Sequence, residues 1–76
     1  MLPQAVFDLW QFDLRNSVDQ AEKGNVEGGR KLLEAGLDRA RQDAAAGRQW
    51  AHSLIRQYEH ALANFDQRYP RLQDEP

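Results

Sequence analysis

The sequence contains no cysteine, so disulfide bonds and thiolate metal sites are excluded. It also lacks any apolar run approaching the roughly 20 residues that a transmembrane helix needs. The first residues carry no basic cluster and soon reach Asp8 and Asp13, unlike a secretory signal peptide. We therefore expect a cytoplasmic protein that makes no use of a membrane.

An excess of positive charge is missing as well. Ten Lys and Arg residues stand against twelve Asp and Glu residues, and the formal net charge is −2. A nucleic-acid surface needs a basic face. The arginines that could form such a face point in several directions and lie among acidic residues. These arginines are Arg39, Arg41, Arg48, Arg56, Arg68 and Arg71. We expect no nucleic-acid partner, but net charge alone does not exclude one, and a small dimeric nucleic-acid-binding regulator is the alternative function.

The sequence contains no alternating run of β-branched residues, so no β-strand is predicted. A chain of 76 residues forms one domain at most. We expect residues 1–76 to form a single all-α domain, a small antiparallel three-helix bundle with helices at about residues 3–22, 26–46 and 48–69. Pro70 ends the third helix, because proline disfavours helical geometry in the residue before it. Residues 71–76 are expected to form a frayed tail.

The third helix has the clearest pattern. Its apolar residues fall within an arc of roughly 140° on a helical wheel, the width of a core-facing stripe. They are Trp50, Ala51, Leu54, Ile55, Tyr58, Ala61, Leu62, Phe65 and Tyr69. Such a helix needs the rest of the chain to cover its aromatic face.

Glycine marks the first turn and the inward face of the second helix. Gly24 follows the first helix, where a left-handed backbone conformation makes a tight turn. The inward stripe of the second helix is thin, and its small residues would admit a ring from Trp10, Trp50 or Phe65. The stripe consists of Val26, Gly29, Leu33, Gly36, Leu37, Ala40 and Ala44.

Residues 24–37 resemble the second helix of a tetratricopeptide repeat. The family favours a turn glycine, an aromatic residue two positions on, and small and large apolar residues at set positions after it. Those places are taken here by Gly24, Val26, Gly29, Leu33 and Gly36. The preceding helix fits this pattern less well, and the third helix does not restart it in phase. The resemblance implies a helical hairpin that binds another protein.

No catalytic, cofactor or metal site is predicted. The segment Gly24 to Lys31 lacks the strand and the hydroxyl residue of a phosphate-binding loop. His52 and His60 do not have the spacing of four that a helical metal pair prefers, and we expect both on the solvated surface. The acidic residues of the first helix are also expected on a solvated face. They are Asp8, Asp13, Asp19 and Glu22.

The first helix has more apolar surface than one small core needs. One stripe consists of Phe7, Trp10, Leu14, Val18 and Ala21, with Val6 at its edge. Leu2, Leu9 and Phe12 lie on a neighbouring arc, and they form an exposed patch if the first stripe faces the core. Such patches commonly mark interfaces. In the alternative arrangement the first helix lies between the other two and buries both arcs.

These patterns together predict a protein that is not an enzyme. We expect a protein–protein interaction module, a small helical adaptor or regulator, with Leu2, Leu9 and Phe12 as its partner-binding residues. Self-association is the expected mode, because a two-fold dimer is the commonest way to cover such a patch. A different protein is the other possible partner.

Overall fold

The computed structural model describes residues 1–70, which form three α-helices and no β-strand. Helix α1 spans Gln4–Glu22, α2 spans Val26–Ala45 and α3 spans Ala51–Arg68. The predicted all-α three-helix bundle is confirmed. The tail expected at residues 71–76 lies outside the described residues. No helix in the described part of the chain is long and apolar enough to cross a membrane.

Helix α2 lies in the middle of the bundle. It packs along both α1 and α3, which approach each other less closely and meet through their side chains. The molecule is accordingly flat, with extents of 43 × 24 × 15 Å. The alternative arrangement, in which α1 lies centrally and buries both of its apolar arcs, is therefore wrong.

Both turns between helices depend on a glycine with a positive φ. Gly24 has φ +97° and Gly47 has φ +92°, a region that other residues rarely adopt. After the first turn, Asn25 caps α2 by accepting a hydrogen bond of 3.0 Å from the Gly28 N–H through its side-chain oxygen. The tight turn predicted at Gly24 is confirmed.

The core is built mainly from α2 and α3, as their apolar stripes predict. It consists of Ala21, Leu33, Leu37, Ala40, Leu54, Tyr58, Ala61 and Phe65. At the edges of the α3 stripe, Trp50, Ile55, Leu62 and Tyr69 are partly buried and pack against this cluster. Helix α1 contributes a single residue, Ala21, to the fully buried apolar set.

Two glycines of α2 let aromatic rings approach the helix backbone. A Cβ atom on Gly36 would overlap the ring of Tyr58. One on Gly29 would overlap the carbonyl oxygen of Ser17 in α1 and would lie 3.0 Å from the Phe65 ring. The expectation that small residues of α2 admit Phe65 is confirmed, and Tyr58 is the ring that fills the space at Gly36.

Candidate interaction surface

The face of α1 that packs against the other helices is polar at its centre. Asp13 is 5% exposed and Ser17 is fully buried. Trp10 and Leu14 lie beside them and are only partly buried. The large apolar residues of α1 are therefore displaced to the flanks of the buried face.

Asp13 joins the three helices. Its Oδ2 accepts a hydrogen bond of 2.9 Å from the Tyr58 hydroxyl in α3 and another of 2.9 Å from Nη2 of Arg39 in α2. A carboxylate is tolerated at such a buried position only when it is paired and hydrogen-bonded. The prediction that Asp13 lies on a solvated face is wrong, whereas Asp8, Asp19 and Glu22 are exposed as expected.

The hydroxyl of Tyr58 is held in its neutral, donating form. Its burial, together with the hydrogen bond to Asp13 and the charge of Asp13, raises the pKa of Tyr58 well above the usual 10.0, although Arg39 opposes part of this effect. Trp10 packs edge-to-face against the Tyr58 ring, with centroids 4.7 Å apart. Because Trp10 and Asp13 both contact Tyr58, the rotation of α1 about its own axis is fixed.

This rotation leaves large apolar side chains of α1 in solvent. Phe12 is 59% exposed, Phe7 is 42% exposed and Leu9 is 41% exposed. The expected core position of Phe7 is wrong, because Asp13 and Ser17 occupy the middle of the inward face. At 100° per residue, the buried arc lies roughly 50° around the helix from the predicted one, on the Asp13 side.

The three residues predicted to bind a partner have two environments. Leu9 and Phe12 are exposed on one flank of α1. Leu2 is partly buried and packs against the core. A role in binding stays a prediction for all three residues, and Leu9 and Phe12 are the two that are accessible.

The exposed flank around Phe12 carries charges on both sides of the ring. We call it the outer face of α1, and it comprises Asp8, Leu9, Phe12, Arg15 and Asp19. Beside Phe12 is a shallow hollow of about 260 Å³, lined by Phe12, Arg15, Asn16 and Asp19. Positions spaced in this way form the four-residue hole that receives a side chain when two helices pack together. The outer face therefore has both a projecting ring and a hollow next to it.

Two smaller hollows lie between the helices. One of about 130 Å³ opens between α1 and α3 near Leu14, Val18 and Asn64. The other, also of about 130 Å³, lies near Val6, Leu9 and Arg39. Both are below the range of about 300–1,000 Å³ that is usual for small-molecule sites.

Arg30 is a third buried polar residue, after Asp13 and Ser17, that the sequence patterns miss. It is 1% exposed, and its guanidinium donates to Asp66 at 2.7 Å, to Glu27 at 2.7 Å and to the Tyr69 carbonyl oxygen at 3.2 Å. It also lies over the Phe65 ring, 5.6 Å from the centroid. Arg30 therefore ties the start of α2 to the end of α3. Glu27 is on the same helix three residues earlier, but no spacing in the sequence indicates the link to α3, because Asp66 and Tyr69 lie 36 and 39 residues away.

Most of the arginines considered for a nucleic-acid surface are paired with carboxylates. Arg39 pairs with Asp13, and the three others pair at distances of 3.2–3.6 Å. These three pairs are Arg41–Glu59, Arg48–Asp43 and Arg68–Glu22. Arg56 is exposed, and Arg71 lies outside the described residues.

The two histidines are exposed, as predicted. Among residues 1–70, no group of three or more His, Asp or Glu side chains is close enough to hold a metal ion. Comparison of the chain with family models, with curated proteins and with solved structures gives no match in any of the three cases. Helices α1 and α2 form a hairpin, and the resemblance of residues 24–37 to a tetratricopeptide repeat stays a prediction.

Proposed function

We propose that this chain is a non-enzymatic protein–protein interaction module, a small cytoplasmic adaptor or regulator that self-associates through the outer face of α1. The main support for this proposal is that Phe12 and Leu9 are exposed on one flank of α1. Removing apolar surface from water contributes about 25 cal/mol per Å². A partner that covers these two side chains is therefore favoured.

The exposure of Phe12 is built into the fold. Turning α1 so that Phe12 reached the core would carry Asp13 away from Tyr58 and Arg39, which both bond to it at 2.9 Å. The buried Tyr58 hydroxyl would then lose its acceptor, at a cost of about 1–3 kcal/mol. The outer face is thus presented on a helix whose orientation is set before any partner binds, which reduces the entropy lost on association.

The alternative, a small dimeric regulator that binds nucleic acid, has less support. Binding to phosphates needs cationic side chains that are available. Arg30, which is buried, already donates to Glu27 and Asp66, and Arg39 donates to the buried Asp13. Arg41, Arg48 and Arg68 have acidic neighbours at the surface. The charge pattern therefore favours a protein partner.

Sedimentation velocity of the wild-type chain and of Phe12→Arg tests the proposal, over about a hundredfold range of concentration. We expect the wild type to associate and Phe12→Arg to stay monomeric with unchanged helical circular dichroism, because Phe12 is mostly in solvent. Phe7→Arg is the matched control, since Phe7 is exposed on the opposite flank of the same helix. Equal association of wild type and Phe12→Arg would contradict the proposal, and so would equal effects of the two substitutions.

A further inference from the structure

We propose that the occupant of the outer face is α1 of a second copy of this chain, packed antiparallel so that Asp8 of each copy faces Arg15 of the other. This inference rests on the proposed function and specifies its partner and its geometry. It follows from the positions of Asp8, Phe12 and Arg15 and from the way their charges are used within the chain.

The spacing of these residues is suited to a two-fold axis. With a rise of about 1.5 Å per residue, Asp8 lies about 6 Å before Phe12 and Arg15 about 4.5 Å after it along the helix. All three are exposed and lie within roughly 60° of each other around the helix. If a two-fold axis passes between positions 11 and 12, position 8 of one copy faces position 15 of the other. Both Asp–Arg pairs then form at once, as a self-complementary interface requires.

The charges of Asp8 and Arg15 have no charged partner within the described residues. Arg15 has no hydrogen bond, ion pair or ring contact there. Asp8 accepts a hydrogen bond of 2.9 Å from the uncharged side-chain amide of Gln4. Asp19 differs, because it already pairs with Lys23 at 3.1 Å. The unpaired charges of the outer face are thus the carboxylate of Asp8 and the guanidinium of Arg15, on opposite sides of Phe12.

The orientation follows from the sign of these charges. In a parallel pair of α1 helices, Asp8 would face Asp8 and Arg15 would face Arg15, and both contacts would be repulsive. In the antiparallel pair both contacts are attractive. Complementary charges at an interface select the orientation and exclude the wrong one more than they add affinity. The charge pattern therefore selects a second copy in the antiparallel direction.

The shape of the outer face is consistent with this pairing. The ring of Phe12 enters the space among Asp8, Gln11, Phe12 and Arg15 of the second copy, which have the spacing of a helix–helix hole. The hollow of about 260 Å³ beside Phe12 then lies opposite the first turns of the second copy, near its Gln4 and Asp8. Both Phe12 rings, each 59% exposed in one copy, are covered together. Two helices of this length make a small interface, so we expect weak association, with a dissociation constant in the micromolar range.

Charge reversal tests the pairing. Asp8→Arg places two arginines against each other at each contact of the homodimer, and Arg15→Asp places two aspartates there. We expect each single variant to associate at least about tenfold more weakly than the wild type. The double variant D8R/R15D should recover association, because both contacts again join opposite charges. An equimolar mixture of the two single variants should also associate, as a heterodimer that native mass spectrometry distinguishes by mass.

The outcomes of this experiment distinguish a failure of the antiparallel pairing from a failure of the proposed interaction surface. Single variants that associate like the wild type would overturn the antiparallel pairing. That result would instead fit a parallel pair, in which the wild type and each single variant have the same number of like-charge contacts. If Phe12→Arg is monomeric in that case, the interaction surface stands and only its geometry falls. A wild type that stays monomeric throughout would overturn both the antiparallel pairing and the proposed self-association. Helical circular dichroism of every variant confirms folding, since both residues are exposed.

Discussion

The hydroxyl of Tyr58 in α3 donates a hydrogen bond of 2.9 Å to the carboxylate of Asp13 in α1. This bond determines which side of α1 faces solvent. With Asp13 held inward beside Arg39, Phe12 is directed away from the core and remains 59% exposed. The proposed interface is therefore a consequence of a buried polar contact formed elsewhere on the same helix.

Asp13→Ala should lower the free energy of unfolding by about 2–4 kcal/mol, since it leaves the buried Tyr58 hydroxyl without its acceptor and opens a small cavity. Urea unfolding followed by circular dichroism measures the loss. Asp38→Ala on α2 is the control, and we expect a change within about 0.5 kcal/mol because Asp38 is exposed. Similar losses for the two variants would show that the Asp13 contact does not stabilise the bundle.

The stability of the protein should fall at high pH through Tyr58. Folding raises the pKa of this hydroxyl above 10.0, so the folded chain keeps a proton that the unfolded chain releases. The stabilisation is complete below pH 10.0 and is lost as the pH rises from there towards the folded pKa. The expected slope approaches about 1.4 kcal/mol per pH unit at most.

Unfolding curves of wild type and Tyr58→Phe between about pH 8 and about pH 11 test this effect. Other groups titrate in the same range in both proteins, so the difference between the two curves isolates Tyr58. We expect the wild type to lose more stability than Tyr58→Phe above pH 10.0. Parallel curves would contradict the role assigned to Asp13 and to burial in holding the hydroxyl neutral.

Arg30→Met should cost about 1–3 kcal/mol of stability, since it keeps most of the apolar stem but removes three hydrogen bonds from a side chain that is 1% exposed. Glu27 and Asp66 are more than half exposed and can return to water, which limits the loss. Arg41→Met is the control, because Arg41 and Glu59 form an exposed pair at 3.5 Å. Such pairs contribute about 0–1 kcal/mol. An equal effect of the two substitutions would refute the structural role of Arg30.

The sequence predicts α2 and α3 well, because their buried faces are apolar and therefore periodic. Leu33, Leu37, Leu54 and Phe65 are all buried where the pattern places them. The left-handed turn at Gly24 is also predictable, because few other residues adopt that conformation.

The orientation of α1 could not be predicted in the same way. Its most continuous apolar stripe includes Phe7, which is 42% exposed, whereas the inward face is centred on Asp13 and Ser17. A carboxylate can face the core only if partners satisfy it, and the partners of Asp13 lie on other helices, 26 and 45 residues away in the sequence. Arg30 is buried for the same reason, since Asp66 lies 36 residues from it.

The sequence predicts only part of the candidate interaction surface. Leu9 and Phe12 are exposed, in agreement with an arc that lies outside the core stripe. Leu2 shares that arc on a helical wheel, but it precedes the first residue of α1, Gln4, so the wheel does not describe its direction. It packs against the core instead.

Self-association through the outer face of α1 is tested most directly by ¹H–¹⁵N correlation spectra of the ¹⁵N-labelled chain, recorded at increasing concentration. The amide signals that shift should belong to the outer face of α1, around Asp8, Phe12 and Arg15. Signals from the solvent-facing side of α3, such as those of Arg56 and Glu59, should stay in place. Shifts confined to α3, or the absence of any shift at concentrations where the chain associates, would contradict it.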